Sequence, residues 1–284
     1  MNRRDLWARM TPYEVGIPGR DFADKTFAAI REEAEVRGVD PSDPGAFFQL
    51  GEVGRAIRAI QGEERGGEVI ERFGAFLFHA FHFHRAGEPL YLLGTKTARE
   101  LVEHPSPSLR WDGSLPTEAG YLQLPLHLFW SRSLPSEGPA EPLDGLFWAR
   151  GSADTLALMV ALGIRGDRPG ISVVELPPLP LGEAANWVGG GTREQGSDFE
   201  TTLPGGELDR LYSVVTLGEV LTLAARVFST LAADPGAMGE VERAPKPNGG
   251  GPAAEGARPS LLSFRRIGAS GDERPPEPLP QLDA

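Results

Sequence analysis

Residues Phe73–Glu88 read FGAFLFHAFHFHRAGE, and the period assigned to this run decides the fold. Three of the five histidines, His79, His82 and His84, fall within six residues of one another, interleaved with Phe76, Phe78, Phe81 and Phe83. As a strand, the run would alternate and present imidazoles from a barrel wall. As a helix, it would be a buried rod that carries them. Glu68, Val69, Ile70, Phe73, Leu77, Phe81 and His84 keep helical spacing into it, which predicts a helix over 68–85. On that helix His79 and His82 share a face, while His84 lies about 140° from His79 at 100° per residue.

Two more helices are expected before it. Phe22, Thr26, Ile30 and Ala34 stand four apart between Asp21 and Arg37, with Gly38 placed as C-cap. Ser42-Asp43-Pro44 supplies an N-cap and a first-turn proline for a second helix reaching about Ile60. Residues 1–20, with Trp7, Pro12, Tyr13 and Pro18 and no period, read as an extended arm.

After Gly87 the period becomes two. Pro89–Leu93 reads as a short strand, Thr97–Glu103 as a short helix, and Tyr121–Trp130 as a strand that Pro125 must place at an edge or break with a bulge. Leu143–Arg150, Thr155–Ile164 and Ile171–Leu176 follow. In the second of these Leu156, Leu158 and Val160 share one face, Ala157 and Ala161 the other. Short connections predict an antiparallel meander. A Pro- and Gly-rich excursion spans 177–206, and a long apolar helix spans about 207–233. From Asp234 onward 9 prolines and 8 glycines fall among 51 residues, which predicts a disordered tail. Within it Ser260–Ile267, SLLSFRRI, alternates and reads as a candidate edge strand. The expected fold class is therefore α+β. A mainly antiparallel sheet of five or six strands packs with N-terminal helices and one long C-terminal helix, in a single domain over 21–233 flanked by the arm and by the tail, 234–284.

Composition narrows the function. The chain has 284 residues, 40% hydrophobic and 24% charged, as in ordinary soluble globular proteins. It contains no cysteine, so thiolate nucleophiles, disulfides and cysteine-based metal sites are excluded. A net charge of −12 opposes counterion-release binding, so no nucleic-acid partner is expected. No apolar run approaches the roughly 20 residues a membrane span needs, and no signal peptide is read. A cytoplasmic location and no membrane partner are expected.

His82-Phe83-His84, with Glu88 four residues on and Gly94 beyond, resembles the first metal-binding motif of the cupins. In that family the ligands lie on barrel strands and hold a divalent metal. The resemblance thus implies His82, His84 and Glu88 as metal ligands. It covers about a dozen residues, its gap from Glu88 to Gly94 is one residue short, and His127 lacks the second motif's lead-in. Other motifs point elsewhere. Gly94-Thr95-Lys96-Thr97 lacks the P-loop spacing and reads as a helix cap at Thr95, and no serine sits in GxSxG. His104 closes a helix end, where a cation meets the dipole. Two function classes follow. The favoured one is a non-enzymatic interaction or accessory protein with a protein partner and no cofactor. The alternative is a metal-dependent enzyme or small-molecule binder at His79, His82, His84 and Glu88.

Overall fold

The computed structural model describes residues 8–62, 67–103, 111–125, 128–131, 141–162, 173–183, 214–243 and 260–268. Five helices come first: α1 (Pro12–Gly16), α2 (Arg20–Arg37), α3 (Pro44–Phe47), α4 (Gly51–Gln61) and α5 (Gly67–Arg85). Then come β1 (Leu90–Leu93), α6 (Thr95–Glu103), β2 (Ala119–Gln123), β3 (Trp130–Ser131), β4 (Glu141–Gly151), β5 (Thr155–Leu162) and β6 (Val173–Pro180). The long helix α7 (Val214–Ala233) and strands β7 (Met238–Arg243) and β8 (Ser263–Ile267) complete the order.

The α+β class holds, but the sheet is mixed and larger than five or six mainly antiparallel strands. Seven strands run in the order β6-β5-β4-β2-β1-β8-β7, and β3 pairs with β4. The antiparallel meander is present in β4, β5 and β6. The difference lies at β1, which pairs parallel with both β2 and β8. Parallel neighbours need a crossover, and α6 supplies it between β1 and β2. The strand read over 121–130 is two strands. β2 stops at Gln123, before Pro125, and the chain resumes pairing at Trp130. A proline has no N–H to give a ladder, so the break falls beside it. The second predicted helix is likewise two, α3 and α4.

Met238–Arg243 form β7 in a stretch where composition suggested no structure, and Ser263–Ile267 form β8 between β1 and β7 rather than at an edge. The chain near its N-terminus is also built in. Thr11 and Glu14 form a capping box on α1, with the Thr11 N–H donating to Glu14 Oε2 at 2.9 Å. The same Glu14 carboxylate accepts from Ser260 Oγ (2.7 Å) and the Leu261 N–H (2.6 Å), which fixes the approach to β8. Arg9 is buried and paired with Asp144 at 2.9 Å, and Asp144 also accepts from Tyr121 Oη at 2.5 Å.

The sheet separates two cores. Toward α1–α5 it presents Tyr121, Phe147, Ala149, Ala157, Met159 and Ala161. The alanines leave room for Phe76, Phe78, Phe81 and Phe83 of α5, each at most 1% exposed. Toward α6 and α7 it presents Leu122, Leu146, Trp148, Leu156, Leu158 and Val160. Trp148 stacks edge-on against Phe228 of α7, ring centroids 5.2 Å apart. It reaches that position because Gly120 stands opposite it: a Cβ there would collide with the indole.

Candidate functional site

The histidine run is helical, and a helix distributes its side chains around an axis. His79 points into the α5-side core between Phe78 and Phe147, fully buried, and neither ring nitrogen has a hydrogen-bond partner. Burial pushes its pKa down to about 3. His82 lies 3.1 Å by Nε2 from the carbonyl of Pro41, and burial takes its pKa down to about 4, against the pull of that hydrogen bond. These two imidazoles are neutral packing groups near neutral pH.

His84 belongs to a separate polar cluster at the end of α5. Its Nδ1 lies 3.0 Å from Glu88 Oε1 and 2.9 Å from Tyr13 Oη, and its Nε2 lies 3.1 Å from Asp24 Oδ1. Tyr13 also donates to Glu88 Oε1 at 3.1 Å. The His84 hydrogen bond holds the Glu88 carboxyl below its ordinary range despite partial burial, while burial and Glu88 raise the Tyr13 phenol. Glu88 follows the last turn of α5 with a φ of 61°, and its N–H caps the Phe83 carbonyl at 2.9 Å. A non-glycine residue in the left-handed region just before Pro89 is strained, and the His84 and Tyr13 contacts hold it there.

Of the candidates His79, His82, His84 and Glu88, the structure brings together only His84 and Glu88. The two ring nitrogens of His84 face carboxylates on opposite sides of the imidazole, so Glu88 and Asp24 do not converge on one point. Among the described residues no group of three or more His, Asp or Glu side chains is placed to hold a metal ion. His104 and His127 lie outside the described residues. Tyr13 and Asp24 were not legible as partners of His84, because they come from helices distant in sequence. The one hint was an aromatic in the arm after Pro12.

Beside this cluster the sheet is open. A cleft of about 580 Å³ lies where β1, β8 and β7 meet the turn after α5. Its lining includes Tyr91 of β1, Ser263 and Arg265 of β8, Val241 and Arg243 of β7, and Arg20, Glu88 and Leu261. Val241 is 56% and Leu261 83% exposed. Val241 stands opposite Arg265 and Arg243 opposite Ser263 in the ladder, so these four share one face. Arg243 Nε donates to Ser263 Oγ at 2.8 Å, and Arg265 Nη1 to the Gly239 carbonyl at 3.3 Å. On the other face Glu242 pairs with Arg266 at 3.3 Å. Of this surface only the alternation of residues 260–267 was visible beforehand; β7 lay in a segment whose composition masked it.

No family model matches the chain, and no curated protein matches it. Among solved structures, one described as the crystal structure of AcrVA2 is similar at 12% identity, covering 91% of this chain and 84% of that chain with a TM-score of 0.44. A likeness that slight carries no argument. No helix among the described residues is long and apolar enough to cross a membrane.

Proposed function

We propose that the protein is a non-enzymatic, cytoplasmic accessory protein that acts by binding another protein through the open patch of β7, β8 and β1. The observation that carries this reading is the exposure of Val241 and Leu261 beside a sheet edge that nothing among the described residues pairs with. Apolar side chains gathered at a cleft mark contact surfaces, whereas scattered ones need no explanation. The histidines fit the same reading. His79 and His82 are held in the core, and His84 is engaged on both sides by carboxylates, its contact with Glu88 ordering the turn there.

The test is capture of a partner by the tagged, full-length chain from extracts of its own cells, with Val241→Asp/Leu261→Asp compared against Val36→Asp/Val102→Asp. Val36 and Val102 are also exposed but lie on other elements. The reading expects one protein to be retained by wild type and by the control pair and lost from the cleft pair, with melting temperatures unchanged. Equal retention by both pairs would move the contact surface elsewhere.

A further inference from the structure

We infer that the open edge of β7 docks an extended, acidic segment of a partner protein, added to the sheet as a further strand with an acidic side chain against Arg243 and an apolar one against Val241. This rests on the interaction reading above and names the chemistry of the partner.

The two edges of the sheet differ in a way that favours one of them. The β6 edge carries Pro177, Pro178 and Pro180, which cannot donate to an incoming ladder. β7 has no proline, and among the described residues nothing pairs with its outer side. An extended segment laid there would satisfy the backbone groups of the edge, as in other strand-addition complexes.

Charge selects the side chains. The whole chain carries a net charge of −12, yet Arg20, Arg243 and Arg265 gather at this cleft. Glu88, the carboxylate beside them, is turned to His84 and Tyr13. Arg243 and Arg265 each show one side-chain donor in use toward the described residues, and a guanidinium has five. The remaining donors suit a carboxylate, which accepts two parallel N–H groups. Because neighbouring strands present alternate residues to one face, Val241 and Arg243 would meet side chains two residues apart on the incoming segment. A single-stranded nucleic acid shares the negative charge, but it would leave Val241 and Leu261 unmatched and bring many phosphates toward Glu240, Glu242 and an acidic protein.

The experiment uses the full-length chain and labelled probes read by fluorescence anisotropy. The first probe is a peptide of about ten residues in which Glu and Val alternate with Thr, long enough to span one strand. The others are its Lys-for-Glu counterpart, its copy N-methylated at alternate amides, and an oligothymidylate of equal length. Saturable binding of the acidic peptide is expected, with none for the Lys or N-methylated peptides. Arg243→Glu/Arg265→Glu should bind the acidic peptide roughly tenfold more weakly and should gain affinity for the Lys peptide, the effect of reversing two partly exposed charge pairs. Both arginines are exposed, so the variant should keep its melting temperature. No saturation by about 1 mM acidic peptide, at which a complex with a Kd of about 0.1 mM is nearly fully formed, would overturn the proposal. So would equal affinity of variant and wild type, equal binding of the N-methylated copy, or tighter binding of the oligothymidylate. If a captured partner is lost with Val241→Asp/Leu261→Asp while the acidic peptide fails, the acidic strand is wrong and the interaction patch stands. If neither responds, both readings fall.

Discussion

On one side of the sheet α5 lies across β2, β4 and β5, and every phenyl ring from Phe76 to Phe83 is at most 1% exposed. On the other side α7 and α6 close over Trp148, Leu122 and Ile267, while Val241, Arg243 and Arg265, farther along toward the β7 edge, stay open to solvent. The difference teaches how one sheet serves two purposes. Where the strands offer alanines, large rings interdigitate and the interface is sealed. Where β7 and β8 offer arginine, serine and one valine to a face that no helix among the described residues covers, the sheet remains a surface. The sealed regions on both faces hold the stability; the patch toward the β7 edge is the part exposed for use.

The comparison breaks most visibly at Phe81, whose ring lies 5.7 Å from Phe27 and 5.5 Å from Phe47. Phe81→Ala should cost about 3–5 kcal/mol, as large aromatic truncations in sealed cores do. Its neighbour His82, with one hydrogen bond to the Pro41 carbonyl, should cost only about 1 kcal/mol as His82→Gln. Urea denaturation of the two variants checks the order. Equal losses would mean that the α5 side is not a packed core.

Acid should find the closed side next, since both buried imidazoles sit there. The unfolded chain takes up their protons from about pH 6.5 downward, while burial keeps His82 neutral to about pH 4 and His79 to about pH 3. Their contribution is therefore complete above pH 6.5 and falls as pH drops through that window. The slope is up to about 1.4 kcal/mol per pH unit for each histidine. Denaturation midpoints followed from about pH 7 to about pH 4.5 should show the decline, which His79→Leu should flatten by removing one proton acceptor from the unfolded chain. The leucine also relieves an unpartnered buried polar ring, so stability near neutral pH should hold or rise. A slope identical to wild type would show that His79 is not held neutral by the core.

The smallest effect is expected on the open side. Arg243→Ser and Arg265→Ser should each change stability by less than about 0.5 kcal/mol, as surface substitutions do. A loss comparable to that of Phe81→Ala would make this surface part of the structural core and erase the distinction between the two sides.

Local pattern alone determined a good deal of this. The 3.6-residue spacing of Phe73, Leu77 and Phe81 marked α5. Gly38 closes α2 with a φ of 63°, as its place after Arg37 implied. Alternation sorted Leu156, Leu158 and Val160 from Ala157 and Ala161 onto opposite faces of β5. These features are legible because a side chain's direction within one element follows from its position in the chain. Tertiary structure decided the rest. The parallel pairing of β1 with β2 and β8, the insertion of β8 beside β1, and the use of Glu14 to hold Leu261 join residues 31 to 247 positions apart. The fate of the histidines was decided in the same way. The helix fixed the angles between them, but only the packing of α1, α2, the chain at Pro41 and the sheet at Phe147 determined that His79 would be left unpartnered, His82 would meet a carbonyl, and His84 would meet Tyr13 and Asp24. Contacts of that range have no period to read, because their energy comes from surfaces that exist only once the chain has closed on itself.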